Sequence, residues 1–171
     1  SDILCEMAKE NVPLEERVFG TPEYAIRPYF LQFVYCKNIL IEGVRFEHSP
    51  FWTVTPLFSE NIIVRGITHR SEKELNGHTS YNTDSVNMDS CKNCLIENIV
   101  VESSCDDNIC VKSGKDQDGL LVNIPTENVL VRNCEFSNGG GMVVVGSETS
   151  GGIKNVRFEN ITGHNCLMAV H

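Results

Sequence analysis

Short apolar stretches with alternating polar positions recur along the chain from residue 38 onward. Five seven-residue segments share one pattern: Asn comes first, apolar residues stand second, fourth and seventh, and Gly or Asn stands sixth. The segments are 38–44, 61–67, 93–99, 128–134 and 155–161, so their starts lie 23, 32, 35 and 27 residues apart. Alternation with a period of two, together with many β-branched residues, predicts a β-strand in each copy.

The sixth position of each copy predicts a tight bend, because Gly and Asn both tolerate the left-handed backbone region. The residues at this position are Gly43, Gly66, Asn98, Asn133 and Asn160. Further apolar strands follow each bend. Two or three strands per repeat, with no helical segment, predict an all-β parallel β-helix. A β-sandwich of irregular hairpins is the alternative, but it does not explain the fixed Asn and Gly/Asn positions or the lack of two-residue hairpin turns.

The repeat pattern predicts a single domain over residues 1–171. Residues 1–35 carry little pattern and are expected to form an irregular entry segment, with repeats from about residue 38. No polar cap follows Val170 and His171, and an uncapped solenoid end exposes its core. We therefore expect the solenoid to be incomplete at one or both ends and the chain to be a fragment of a longer protein.

Charge and hydropathy exclude several functional classes. The formal net charge of -9 argues against a nucleic-acid partner. No apolar run reaches the length of a membrane span. An acidic surface also repels a polyanionic sugar, so such a substrate would need local cations. The oligomeric state is not determined by the sequence.

The eight cysteines do not predict a metal site. Cys91 and Cys94 form a CxxC pair, but no second pair or His pair completes a zinc site at the usual spacing. We therefore expect no metal and no cofactor. Several cysteines fall at inward positions of the repeat, where a free thiol acts as a small apolar side chain. Disulfide connectivity cannot be deduced from the sequence.

Three aspartates are the strongest candidates for chemistry. Asp84 lies 22 and 23 residues before Asp106 and Asp107, which is close to one coil of the predicted solenoid. Equivalent positions of successive coils stack about 4.8 Å apart, so the carboxylates should lie within about 10 Å of one another. Neighbouring carboxylates repel, and a protonated acid beside an ionised one is suited to cleaving a glycosidic bond. Asp106 and Asp107 can both face the same groove only if the backbone turns between them.

Ordered motifs around these aspartates carry a family resemblance. Asn82-Thr83-Asp84, Cys105-Asp106-Asp107 and the segment from Gly139 to Glu148 resemble the signature of glycoside hydrolase family 28, the polygalacturonases. That signature contains N-T-D, G-D-D and a G-H-G that runs into G-S-E, followed by R-I-K. The resemblance covers about residues 17–171. It implies a right-handed parallel β-helix that hydrolyses α-linked pectic polymers with inversion, in a secreted or periplasmic location.

The resemblance also assigns roles to individual residues. It implies that Asp106 is the general acid and that Asp84 and Asp107 activate the attacking water. The residues expected to contact the substrate are Asn82 in the first motif, Tyr81 beside it, Lys112 in K-S-G, Gly140 in place of the family's His, and His171 near the position of the Arg of R-I-K. Pectic polysaccharide or oligosaccharide is the implied partner.

Departures from the signature leave alternatives open. Cys105 replaces the Gly of G-D-D, Gly140 replaces the His of G-H-G, and the chain ends near the R-I-K position. These differences favour a variant member that acts on rhamnogalacturonan-type or decorated pectin, and we expect the isolated fragment to have little activity. A polysaccharide lyase and a non-catalytic, glycan-binding β-helix are the competing functions.

Overall fold

The computed structural model describes residues 2–75 and 78–171, and about half of them lie in parallel strands. The elements are α1 (Asp2–Lys9), a 3-10 turn (Leu14–Glu16), β1 (Leu31–Val34), β2 (Lys37–Glu42), β3 (Arg45–Glu47), β4 (Val54–Leu57), β5 (Glu60–Arg65), β6 (Thr68–Arg70), β7 (Glu74–Leu75), β8 (His78–Thr79), β9 (Val86–Asp89), β10 (Lys92–Glu97), β11 (Val100–Ser103), β12 (Ile109–Lys112), α2 (Asp116–Val122), β13 (Thr126–Val145) and β14 (Ile153–Val170). The long strands β13 and β14 each bend through a whole coil and contribute to several ladders.

All strands except β7 and β8, which pair with each other in antiparallel fashion, form three parallel ladders that wind into a solenoid. The first ladder contains β2, β5, β10 and the first parts of β13 and β14. The second contains β3, β6, β11 and the middle parts of β13 and β14. The third contains β1, β4, β9, β12 and the last parts of β13 and β14. This arrangement is a right-handed parallel β-helix, so the fold predicted from the repeat is confirmed.

The register of the first ladder follows the sequence repeat. Ile39, Ile62, Cys94, Val129 and Val156 are successive partners in this ladder, and each is the second residue of its copy. The first four are buried, and Val156 packs against the same core. Equivalent apolar side chains therefore stack along the axis of the solenoid. Burying one such side chain stabilises the fold by roughly 1.5–3 kcal/mol.

The opening Asn of each copy forms a ladder of its own. Asn38, Asn61, Asn93, Asn128 and Asn155 all have positive φ, between 50° and 60°. From Asn61 onward, each side-chain amide donates to the Asn oxygen of the preceding coil at 2.8–3.1 Å. The bend predicted at the sixth position is also confirmed, because Gly43, Gly66, Asn98, Asn133 and Asn160 share this left-handed conformation. Asn is thus used for its backbone tolerance and for its paired amide groups.

We expect Asn93→Ala to lower the free energy of unfolding by about 2 kcal/mol, because Ala strains the left-handed position and removes two amide hydrogen bonds. Asn93→Gly is the matched control. It keeps the backbone conformation and loses only the hydrogen bonds, so it should lose about half as much. Denaturant unfolding measures both values. Equal losses in the two variants would show that backbone strain contributes nothing.

The structure corrects two details of the expected layout. Residues 1–35, predicted to be irregular, contain helix α1 and strand β1, which pairs in parallel with β4. The solenoid was predicted to lack helices, but α2 lies in the connection between β12 and β13. A short loop insertion can fold as a helix without interrupting the ladders, because only the residues at ladder positions must keep strand periodicity. Neither helix in the described ranges has the length and apolar character needed to cross a membrane.

Candidate active site

Two neighbouring strands of the third ladder bring the three aspartates together. Asp84 lies just before β9, and Asp106 and Asp107 lie just before β12. The two strands pair in parallel with Val86 opposite Ile109, so both approach segments lie on the same side of the solenoid. A small pocket of about 150 Å³ results. It is lined by Trp52, Asn82, Asp84, Asp106, Asp107, Lys112, Gly146, Ser147 and Glu148.

The turn required between Asp106 and Asp107 is present. No regular strand covers residues 104–108, which bend between β11 and β12. The Asp107 amide donates to Asp106 Oδ1 at 3.0 Å. Asp107 Oδ1 in turn accepts a hydrogen bond from the Gly141 amide at 2.6 Å. Both carboxylates therefore face the same pocket despite being adjacent in sequence.

Asp84 is the most enclosed of the three carboxylates. Only 2% of its surface is exposed, and its Oδ2 lies 3.5 Å from Lys112 Nζ. Lys112 is 5% exposed and forms a second ion pair with Glu148 Oε2 at 3.3 Å. The Lys112 ammonium also lies 3.5 Å from the centre of the Trp52 ring. The lysine is thus fixed by two anions and an aromatic face, and it is largely withdrawn from solvent.

Burial and neighbouring charges shift the pKa values in the pocket. Burial raises the pKa of Asp84 to about 6, and Lys112 only partly offsets this effect. Burial, and then the charge of Asp107, also raise the pKa of Asp106. For Lys112, burial favours a lower pKa, but Asp84, Cys110 and Glu148 outweigh it and the pKa is raised. The site therefore combines carboxyl groups that hold protons more tightly than usual with a fixed cation.

Asn82 is oriented by an arginine from the entry segment. The Arg27 Nη2 donates to Asn82 Oδ1 at 2.8 Å, and Asn82 Nδ2 donates to Asp106 Oδ2 at 3.1 Å. Arg27 also donates to the backbone oxygens of Tyr81 and Pro50 and lies over the ring of Phe51. Because the Asn82 oxygen is occupied by the guanidinium, its amide nitrogen faces Asp106.

A wider groove adjoins the acidic pocket. It has a volume of about 660 Å³ and contains Tyr81, Asp106 and Gly140 in its lining, together with Lys73. Tyr81 is 53% exposed, and its expected contact with substrate stays a prediction. Asp106 lines both spaces, so it lies at the junction between the groove and the pocket.

Gly140 has no room for a side chain. A Cβ atom added there would lie 2.7 Å from Asp107 Oδ1 and 3.1 Å from the carbonyl carbon of Asp106. The space in which the family signature has a histidine side chain is therefore bounded here by the two aspartates themselves. The backbone amide of Gly140 donates to the backbone carbonyl oxygen of Asp106 at 2.8 Å. Gly140 therefore contacts the aspartate segment through its backbone.

His171 lies apart from the other predicted residues. It is exposed at the edge of the solenoid, and its backbone pairs with Val143 and Val145. It stands one coil beyond Val144, which is itself the partner of Cys110. Among the described residues it lines neither the pocket nor the groove. Its expected contact with substrate therefore stays a prediction.

Sequence reasoning missed four contributors to the site. Arg27 and Glu148 were assigned no role, although both contact residues of the pocket. The ring of Trp52 covers the Lys112 ammonium. Cys110 points into the site, with its Sγ 3.5 Å from Asp84 Oδ2 and 3.7 Å from Asp107 Oδ2. The alternation of side chains along β12 could have predicted the orientation of Cys110. Ile109 and Val111 on either side face the core, so Cys110 faces away from it.

The described residues thus form a parallel β-helix with three aspartates beside a groove. The chain belongs to glycosyl hydrolases family 28, whose family model matches residues 20–170. The family predicted from the ordered motifs is thereby confirmed.

Two curated relatives are similar to this chain. It is 38% identical over 151 residues to a probable polygalacturonase of Vitis vinifera, an alignment that covers 88% of this chain and 30% of that protein. It is 33% identical over 124 residues to an exo-poly-α-D-galacturonosidase of Dickeya chrysanthemi, covering 72% of this chain and 19% of that protein. The chain thus spans less than a third of the length of either relative.

Two solved structures resemble the fold. The first is a hyperthermoactive exopolygalacturonase from Thermotoga maritima, with a TM-score of 0.81 and 40% identity, covering 99% of this chain and 36% of that one. The second is a polygalacturonase from Erwinia carotovora ssp. carotovora, with a TM-score of 0.73 and 19% identity, covering 99% of this chain and 39% of that one. At this lower identity the second likeness concerns the fold alone.

Proposed function

We propose that the protein is a glycoside hydrolase that cleaves α-linked pectic polysaccharide by an inverting acid/base mechanism. The observation that carries the proposal is the position of Asp106 where the wide groove meets the acidic pocket. The groove offers room for a glycan chain, and the pocket offers room for water. Membership in family 28 and the names of the relatives support the same reaction class.

Asp106 is the proposed general acid. It faces the groove, and burial and the neighbouring Asp107 raise its pKa, so it keeps a proton available for the leaving-group oxygen. After transfer, the carboxylate is stabilised by hydrogen bonds from Asn82 Nδ2 at 3.1 Å and from the Asp107 amide at 3.0 Å. Asn82 is therefore a positioning residue for the acid, and Arg27 acts through it.

Asp84 and Asp107 are the proposed pair that activates the attacking water. One oxygen from each of these carboxylates lies within 4.8 Å of the other and of the Cys110 sulfur. Two oxygens at such a separation can both accept hydrogen bonds from one water molecule placed between them. An inverting glycosidase needs a water held by carboxylate on the side opposite the acid.

Lys112, expected to bind substrate, fits another role better. Its burial and its ion pairs with Asp84 and Glu148 leave little of its charge for a ligand. A positive charge beside Asp84 favours the ionised form of that carboxyl group, and only this form can accept a proton from water. We therefore assign Lys112 to the electrostatics of the proposed base.

Lys73 is the proposed local cation for an acidic substrate. It is exposed, lies in the lining of the groove that contains Tyr81 and Asp106, and forms no ion pair within the described residues. A galacturonate carboxylate in the groove would meet this ammonium group. The net charge of -9 makes such a cation necessary, because the rest of the surface repels a polyanion.

We expect Lys73→Met to raise KM for polygalacturonate roughly fivefold and to leave kcat unchanged, because a partly exposed ion pair contributes about 1 kcal/mol to binding. Fully methyl-esterified pectin carries no such charge, so KM for it should not change. Lys154→Met is the control, since Lys154 is exposed and pairs with Glu127 on the first ladder. A KM for polygalacturonate that is unaffected in Lys73→Met, or equally affected in both variants, would contradict the assignment.

The reaction class is tested by the products. Incubation of the full-length protein with homogalacturonan and with rhamnogalacturonan should give new reducing ends on at least one polymer, initially of inverted anomeric configuration by NMR. An unsaturated, ultraviolet-absorbing product would establish a lyase instead. Binding without any product would establish a non-catalytic glycan-binding solenoid. The preferred polymer then decides between polygalacturonase and rhamnogalacturonan-type specificity.

The proposed substrate also suggests where the protein works. Pectic polymers are too large to enter a cell intact, so a hydrolase of such polymers acts outside the cytoplasm or on imported fragments. Secretion or a periplasmic location is therefore part of the proposal.

A further inference from the structure

We propose that Asp84, Asp107 and Cys110 form a binding site for a thiophilic divalent cation such as Zn²⁺. Bound there, the cation would occupy the space of the attacking water and inhibit the enzyme. The inhibitory consequence rests on the proposed function, whereas the binding site itself does not.

The distances between the ligand atoms suit a tetrahedral metal. Cys110 Sγ lies 3.5 Å from Asp84 Oδ2 and 3.7 Å from Asp107 Oδ2, and one ligand atom of each residue lies within 4.8 Å of the others. With Zn–S near 2.3 Å and Zn–O near 2.1 Å, tetrahedral angles require a sulfur–oxygen separation of about 3.6 Å. The two observed sulfur–oxygen separations lie on either side of this value, as expected for ligands of one tetrahedral metal.

Unpaired polar atoms around the cluster point independently to a missing ligand. Asp84 is 2% exposed, and its Oδ1 has no hydrogen-bond partner in the described part of the chain. Asn87 is the ladder partner of Cys110 and is fully buried, and both of its amide atoms also lack a partner among those residues. Partner residues in a parallel ladder present their side chains on the same face, so the unpaired Asn87 amide lies on the same side of the sheet as the Cys110 thiol.

A bound metal would offset most of the negative charge of its ligands. On binding, the Cys110 thiol transfers its proton to solvent, and the sulfur forms a bond to the metal as a thiolate. Two carboxylates and one thiolate then carry three negative charges, against two on the metal. Lys112 lies 3.5 Å from Asp84 and offsets part of the remaining charge, which it shares with Glu148 at 3.3 Å.

The ligand set selects among cations. One sulfur and two carboxylate oxygens favour Zn²⁺ or Cd²⁺, whereas Mg²⁺ and Ca²⁺ prefer about six or more oxygen ligands. The CxxC pair, which lacks the further ligands of a zinc motif, is a separate feature: Cys91 and Cys94 are both buried in the apolar core. The proposed site is formed instead by residues from two coils.

The binding test is a Zn²⁺ titration of the purified, reduced protein in competition with a chromophoric chelator. Cys110→Ala is compared with Cys105→Ala, because Cys105 lies close by but contacts the Ser71 oxygen rather than the carboxylate pair. Wild type and Cys105→Ala should bind one Zn²⁺ tightly, and Cys110→Ala should bind it at least about 100-fold more weakly. Cd²⁺ should give a thiolate charge-transfer absorption that is lost only in Cys110→Ala. Equal Zn²⁺ affinity in Cys110→Ala, or displacement of Zn²⁺ by equimolar Mg²⁺, would overturn the site.

The inhibition test compares the ratio of turnover with and without Zn²⁺ for each variant. The ratio should fall in wild type and Cys105→Ala and stay near one in Cys110→Ala at the same concentration. If Zn²⁺ binds through Cys110 but does not slow turnover, the proposed inhibition is wrong and the proposed binding site stands. If the protein hydrolyses no pectic polymer, the proposed function fails, and the Zn²⁺ titration still decides the site.

Discussion

Replacing Asp106 with Asn is expected to lower turnover on pectic polymers by a factor of about a thousand or more. General acid catalysis contributes roughly 10²–10⁴-fold, and Asn has no acidic proton to give to the leaving oxygen. Folding should be preserved, because Asn has nearly the shape of Asp and its single side-chain oxygen still accepts one of the two hydrogen bonds that Asp106 receives, from Asn82 Nδ2 or from the Asp107 amide. Turnover and the denaturation midpoint are measured on the same preparation.

A substrate with a good leaving group separates the acid from the base. An aryl galacturonide needs little protonation, so Asp106→Asn should keep much more of its activity on it than on the polymer. Asp84→Asn should lose activity on both substrates, because water activation is needed in each case. Asp118→Asn, in the exposed helix α2, serves as the control and should resemble wild type. Wild-type turnover of the polymer by Asp106→Asn would refute the assignment of the acid.

The Lys112→Met variant is expected to lose about 3 kcal/mol of unfolding free energy and roughly 100-fold in turnover. Lys112 is buried between Asp84 at 3.5 Å and Glu148 at 3.3 Å, and removing one partner of a buried ion pair leaves charges uncompensated. Without the cation, Asp84 is less readily ionised and is a poorer partner for water. Methionine fills a similar volume, so packing against Trp52 is largely kept.

A double-variant comparison separates the two effects of Lys112. Adding Glu148→Gln to Lys112→Met removes one unpaired anion, so stability should partly recover while turnover stays low. Lys92→Met is the control for a lysine that is exposed and pairs with Glu127, and it should change stability by less than about 0.5 kcal/mol. Wild-type turnover in Lys112→Met would show that the lysine only supports the fold.

Much of the fold could be predicted because each coil is determined locally. The alternation of apolar residues in a segment such as 93–99 identifies its inward face, and a Gly or Asn at the sixth position marks its bend. The second role of the opening Asn was not predicted. Its positive φ is a local property, but the amide chain from Asn61 through Asn93 to Asn128 forms only when coils stack in register.

The sequence predicted the three carboxylates of the candidate site but not the residues that surround them. Asp84, Asp106 and Asp107 carry a spacing close to one coil, and the structure brings them to one pocket. Lys112 was expected to meet the substrate, because sequence alone does not reveal that Glu148 and Trp52 close over it. The contribution of Arg27 depends on a contact with a residue 55 positions away, and no local pattern encodes such a contact.

The sequence by itself determined the solenoid, the family and the three aspartates, because strand periodicity, bend residues and ordered motifs are properties of neighbouring residues. Only the tertiary structure decided the environment of those aspartates. The alternation of side chains along β12 indicates that Cys110 faces away from the core, but it does not indicate that the thiol contacts Asp84 and Asp107. Burial, charge pairing and free space depend on which distant segments cover a face. Burial and charge pairing set how tightly each carboxyl group holds its proton, and the free space beside the carboxyl groups is where the proposed cation would bind.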